Sequence, residues 1–188
     1  MTRSLLPLFV IALAISAPAV ATEVVPVPQF DAIELRGGGS VTVVPGPVER
    51  VAIVEGSSQV TRFHVERGGQ LVIDTCNHDC PHFYRLSIEI QSPRVPDLAV
   101  DGGGRIITSG GFAPQRRLSA AVNGGGRIDA RAIEASNVSA AVNGGGELLV
   151  RSGGILSGAV NGGGHVTYWG SPRVTSAIQG GGSVRPGY

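Results

Sequence analysis

The chain has 188 residues, 29 of them glycine, with 42% apolar and 15% charged residues, two cysteines and a formal net charge of +1. That length suits one domain with a substantial core. A charge so near zero, with no cluster of basic and aromatic residues, points to neither a nucleic acid nor an acidic partner.

Residues 1–21, MTRSLLPLFVIALAISAPAVA, carry an early arginine, a short apolar run and a small-x-small ending at Ala19-Val20-Ala21. This is the layout of a cleavable export signal, with residues 22–188 expected as the mature, single domain. The run is interrupted by Pro7 and falls short of the roughly 20 residues that span a bilayer. Nothing later is long and apolar enough either, so no membrane span is expected. No cysteine adjoins the expected cut, which argues against a lipid anchor.

Residues 30–95 read as an irregular β segment. Ile33-Glu34-Leu35, Val41-Thr42-Val43, Val51-Ala52-Ile53, Phe63-His64-Val65, Leu71-Val72-Ile73 and Leu86 to Ile90 are short β-rich runs. Gly37 to Gly39, Pro45-Gly46-Pro47 and Gly68-Gly69 read as punctuation between them. Cys76, His78, Cys80 and His82 form the one dense group of reactive side chains. In an exported chain a Cys76–Cys80 disulfide is the preferred reading. Zinc held by the four side chains, and free thiols, are the alternatives.

Residues 96–185 repeat a phrase: a small residue, an aliphatic one, a polar one and three glycines. The polar residue falls at Asp101, Asn123, Asn143, Asn161 and Gln179, at steps of 22, 20, 18 and 18. Each triplet follows alternating apolar or small residues such as Leu118-Ala120-Val122, and precedes pairs such as Arg127-Ile128. Period 2 on both sides of the glycines indicates half-buried strands joined at a corner. Were the fifteen triplet glycines idle, they would cost about 7–15 kcal/mol relative to alanine, comparable to a domain's stability. Each triplet is therefore expected to need dihedrals or backbone proximity that only glycine allows. On that basis Gly145→Val is expected to destabilise strongly, and Asn143→Ala by about 1 kcal/mol.

A 20-residue unit of two strands fits one coil of a stacked parallel β-solenoid. The expected fold is all-β: the irregular segment, then a parallel β-solenoid of about five coils. Stacking would align Asp101, Asn123, Asn143, Asn161 and Gln179 in a hydrogen-bonded amide ladder. It would also place Ser119, Ser139, Ser157 and Thr175 beside Ala121, Ala141, Ala159 and Ala177 on a flat, uncharged outer face, the candidate binding face.

Phe30-x-x-Ile33, the irregular β segment, the Ile90 to Pro93 entry and the train of small-aliphatic-polar-glycine phrases resemble the head GIN domain family of putative autotransporter adhesins. The resemblance spans roughly residues 30–185. It implies a secreted or envelope location, in the periplasm or at the surface, and a binding role. That family commonly has Gly-Ser-Gly followed by Asp or Asn where this chain has Gly-Gly-Gly and a variable residue.

The glycines match no phosphate-binding loop, and the residues after them are not the aspartates of calcium-binding repeats. Asp101, Asp129, Glu134 and Glu147 are scattered over different coil positions, and no Ser/His/Asp arrangement can be assembled. No cofactor and no catalytic residue are therefore expected. The expected function is a non-enzymatic binding or adhesive scaffold for an envelope component, a glycan or a second copy. The alternatives are a carbohydrate-active β-helix enzyme and a purely structural envelope element. Arg131 reads as a solvated turn residue, and the group His165, Tyr168 and Trp169 as core or cap packing, with a sugar-stacking platform as the alternative.

Overall fold

The computed structural model describes residues 22–76 and 80–188; the expected export signal lies outside the described residues. The chain is all-β, with fifteen strands and no helix among the described residues. The first seven are β1 (Glu23–Val25), β2 (Ala32–Gly37), β3 (Ser40–Pro45), β4 (Arg50–Glu55), β5 (Arg62–Glu66), β6 (Gln70–Asp74) and β7 (Ser87–Ser92). Then come β8 (Asp97–Gly102), β9 (Arg105–Thr108), β10 (Gln115–Gly124), β11 (Arg127–Gly144) and β12 (Glu147–Gly162). The chain closes with β13 (His165–Trp169), β14 (Arg173–Gln179) and β15 (Ser183–Pro186).

The pairing is mostly parallel and falls into two stacks. The first runs β6, β2, β8, β10, the second half of β11, the second half of β12, and β14. The second runs β7, β3, β9, the first half of β11, the first half of β12, then β13 and β15. Because β11 takes part in both, eleven strands form one path from β1 to β5 that runs along one stack and returns along the other, curving nearly into a barrel.

Register follows the repeated phrase residue for residue. Val100, Val122, Val142 and Val160 lie in line, as do Ile106, Ile128, Leu148 and Val166. These side chains are buried between the stacks, together with Ile33, Leu35, Leu71, Ile73, Ile88, Ile90, Leu118 and Leu156. Full burial of an aliphatic side chain contributes roughly 1.5–3 kcal/mol, so slipping the register by one residue would turn this set outward. The unequal repeat lengths are absorbed at the bend opposite the glycines, between Thr108 and Leu118, Ala130 and Val138, and Val150 and Leu156. There β11 and β12 shift register around Glu134 and Ala135.

The regular stacking begins earlier than the sequence reading placed it. Ile33, Leu35 and Gly37 pair with Leu98, Val100 and Gly102, and Ser40 and Val41 pair with Arg105 and Ile106. Gly37 to Gly39 is thus a sixth triplet at the same corner, inside the segment read as irregular. It was missed because Arg36 replaces the amide and the next 50 residues leave the repeat. Within them β6 and β7 stack beyond β2 and β3, while β5 and β4 run antiparallel on β6 and β7 and cover the edge of the stack. Tyr84 fastens this end: its Oη accepts from Ser57 N at 2.9 Å and lies 2.8 Å from Thr61 Oγ1.

At the corners the three glycines are not equivalent. Gly144 has φ +115, and a Cβ there would lie 2.7 Å from the carbonyl oxygen of Gly124 in the coil before it. A Cβ on Gly146 would lie 2.4 Å from Val122 Cγ1 and 2.6 Å from Gly126 O. Gly145 between them has nothing within 4 Å of its Cβ position, so the expectation that Gly145→Val is strongly destabilising is corrected. Gly144→Val and Gly146→Val are each predicted to cost on the order of 3 kcal/mol or more, from overpacking and, at Gly144, backbone strain. Gly145→Val is predicted to stay within about 1 kcal/mol of the parent. Denaturant midpoints of the three variants check this; equal losses at all three would contradict it.

Candidate functional site

On the outside of the first stack, Ser119, Ser139, Ser157 and Thr175 lie in one row and Ala121, Ala141, Ala159 and Ala177 in the next but one. Ser119, Ala121 and Ala141 are half-buried and the other five exposed. The N-terminal strands extend this sheet at its edge, through β8, β2 and β6. A shallow depression of about 250 Å³ is lined by Ala99, Ser119, Ala121, Ser139 and Ala141, with Gln70 and Asp97 at its rim.

The polar residues before the glycines align as Arg36, Asp101, Asn123, Asn143, Asn161 and Gln179. One side-chain hydrogen bond joins members of this row, from Asn143 Nδ2 to Asn123 Oδ1 at 3.0 Å. The corner is held more generally by the backbone: Gly145 N donates to Gly124 O and Glu147 N to Gly126 O, each at 3.0 Å.

The Cα atoms of Cys76 and Cys80 lie 5.9 Å apart, within the span a disulfide can bridge. Either side of this pair, the chain between β6 and β7 is bonded to the Gly37–Gly39 corner. Thr75 N donates to Arg36 O at 3.0 Å, and Ser40 N to Leu86 O at 2.9 Å. His78, one of the four residues of the alternative zinc set with Cys76, Cys80 and His82, lies outside the described residues. Among the described residues no group of three His, Cys, Asp or Glu side chains could hold a metal ion.

The outside of the second stack differs in chemistry. Asp129 and Arg131, two residues apart on β11, point outward together and form a bidentate pair: Nε to Oδ1 at 2.9 Å and Nη2 to Oδ2 at 2.6 Å. The Arg131 guanidinium also lies 5.0 Å from the Trp169 ring centre. Arg131 and Trp169 sit two coils apart, so the contact bridges the intervening strand, where the outward Leu149 is buried. Arg127 pairs with Glu147 in the adjoining row, and His165 Nδ1 lies 3.0 Å from Ser183 Oγ. Of the four scattered acids, Asp129 and Glu147 are thus held by arginines, while Asp101 and Glu134 stand exposed in other rows. The sequence reads Arg131 as solvated and Trp169 as packing in preference to a sugar-stacking platform. The Asp-x-Arg spacing on a strand, which puts both side chains on one face, was the available signal.

Burial pushes the Asp129 carboxyl up, but hydrogen bonds from the Arg131 side chain and backbone N–H outweigh it and hold the group below its usual range. A depressed folded-state value stabilises the fold above about pH 4, the unfolded value, and the effect is lost as pH falls through the folded value. Asp129→Asn is therefore predicted to lower the melting temperature at about pH 7 and to match the parent near pH 2. A deficit of equal size at both would contradict this.

Residues 97–172 match the family model described as putative auto-transporter adhesin, head GIN domain. No curated protein matches the chain. Among solved structures, a putative adhesin from Bacteroides fragilis is similar over 88% of this chain and 96% of its own, with 17% identity and a TM-score of 0.51. A putative adhesin from Parabacteroides distasonis is similar over the same shares, with 15% identity and a TM-score of 0.43. The former likeness is one of fold. Residues 97 to 172, where the amide-glycine phrase recurs, are accordingly similar to the head GIN domain of putative auto-transporter adhesins.

Proposed function

We propose that the chain is an exported, non-catalytic binding scaffold: a parallel β-solenoid that offers the small outer face of its first stack to an envelope component, a glycan or a second copy. The observation carrying this is the exposure of Ser139, Ser157, Ala159, Thr175 and Ala177 in two uncharged rows of one sheet face, with Arg117 and Arg173 in the row beside them. Flat sheet faces without charge are poor surfaces to leave in water and good ones for shape-matched contact. The family's description as adhesins supports the same reading. A glycosidase would need two unencumbered carboxylates facing each other, whereas Asp129 and Glu147 are each paired with arginine. No helix among the described residues is long and apolar enough to cross a membrane.

Ala141→Arg tests the face, because a long cation there interrupts flat contact without entering the core. Binding of labelled protein to isolated bacterial envelopes is predicted to fall at least about tenfold, or ~1.4 kcal/mol, with the melting temperature unchanged. Unaltered binding would remove this face from the function.

The same reading takes Cys76 and Cys80 as bonded in the exported protein. Intact-mass measurement of non-reduced material is predicted to show the chain two hydrogens lighter than after reduction. Stoichiometric zinc in protein purified without added metal would favour the Cys76, His78, Cys80 and His82 site instead. Because the loop is short, chain-entropy arguments limit the bridge's contribution to less than the roughly 3 kcal/mol of a 15-residue loop.

A further inference from the structure

On the outside of the second stack, away from the small-residue face, lies a groove of about 350 Å³ whose lining includes Ile107, Asp129, Arg131, Ala132, Arg151 and Trp169. Two cations face it and one of them is only partly used. Asp129 takes the Nε and Nη2 donors of Arg131, leaving Nη1 outside the ion pair. Arg151, in the coil between Arg131 and Trp169, is exposed and has no carboxylate within ion-pair distance among the described residues. Its neighbour across the ladder, Glu134, turns toward Gly153, with Oε1 2.9 Å from the place a Cβ on Gly153 would occupy.

Asp129 and Trp169 together fix Arg131. The bidentate carboxylate sets the plane of the guanidinium, and the indole lies 5.0 Å from it, so little side-chain entropy is left to lose on binding. A planar, pre-oriented guanidinium beside a second, unpaired one is suited to a carboxylate. Of the rest of the lining, Thr108 is buried with its hydroxyl turned to Asp129 O at 3.4 Å, and Ile107, Ala132 and the exposed part of Trp169 are apolar, which a bare inorganic anion would leave unused. The groove is open on its outer side and has room for a sugar ring. The ligand that satisfies both halves carries an anionic group on a compact ring with C–H faces.

We propose that this groove binds an acidic sugar of the uronic acid type, its carboxylate held by Arg151 and the free edge of Arg131 and its ring lying against Trp169 and Ile107. The net charge of +1 supplies no long-range attraction, so the recognition is local and weakens with salt.

Trp169 is the only tryptophan of the chain, so fluorescence excited selectively at tryptophan, away from tyrosine absorption, reports this site alone. The full exported chain would be titrated with a trimer of galacturonic acid, with the methyl-esterified trimer and with inorganic phosphate. The acid trimer is expected to give a saturable change. The ester, and the acid trimer on Arg151→Gln, are expected to bind at least tenfold more weakly, with the melting temperature of Arg151→Gln unchanged. Ala141→Arg, on the other stack, is expected to bind the trimer normally, so loss of the small-face function and loss of this site are read separately. No saturable change, an equal response to the ester, or full binding by Arg151→Gln would overturn the proposal. So would loss of trimer binding in Ala141→Arg. Phosphate binding as tightly as the trimer would also overturn it, by assigning the groove to free oxyanions.

Discussion

The close approach of backbone to backbone at the glycine corner is the constraint on which the rest of the structure depends. At each step the first glycine of a triplet has a positive φ, and its missing Cβ leaves room for the carbonyl of the coil before it. The same 2.6–2.8 Å approach recurs at Gly102, Gly124, Gly144, Gly162 and Gly180. The third glycine leaves room for a valine methyl in the same way, at Gly126, Gly146, Gly164 and Gly182. Any side chain at these positions would hold adjacent coils apart and break the hydrogen-bond ladders on both sides. The middle glycine is under no such constraint, and its N–H is the useful part: Gly125 and Gly145 donate to the carbonyl of the first glycine one coil earlier.

Fixing the corner fixes register, and register sorts the remaining positions by role. Inward positions are committed to aliphatic packing and are nearly all buried. Length variation is confined to the bend opposite the glycines, where β11 and β12 change register. Outward positions are left free, and the two stacks have used that freedom differently. The first carries serine, threonine and alanine in rows. The second carries ion pairs, Arg131 with Asp129 and Arg127 with Glu147, and the Arg131–Trp169 contact. Such a scaffold can hold two unlike surfaces because neither contributes to the core.

Much of this was legible in the sequence because the governing signals are local and periodic. Alternation around each triplet identified the strands, and the constant phrase identified the register partners from Asp101 to Gln179. Two things were hidden. Gly37 to Gly39 belongs to the same corner, but its neighbour in the stack is Gly102, over 60 residues on; pairing across such an insertion leaves no periodic trace. The equivalence of the three glycines was also assumed, since composition cannot distinguish a glycine needed for its φ from one merely tolerated. The Asp129, Arg131, Arg151 and Trp169 group was missed for a related reason. Its members come from three coils, and only stacking brings them to one groove.

The most direct test of the central claim is amide hydrogen exchange at Gly125 and Gly145 under native conditions. Both residues are exposed to solvent, so a slack glycine linker would exchange at close to the free-peptide rate. If the corners are locked by coil-to-coil hydrogen bonds, these two amides will be protected to the level of the core strands and will open only with global unfolding. Exchange as fast as in an unstructured loop, with Val122 and Val142 still protected, would show that the strands stack without the corners and would contradict the account.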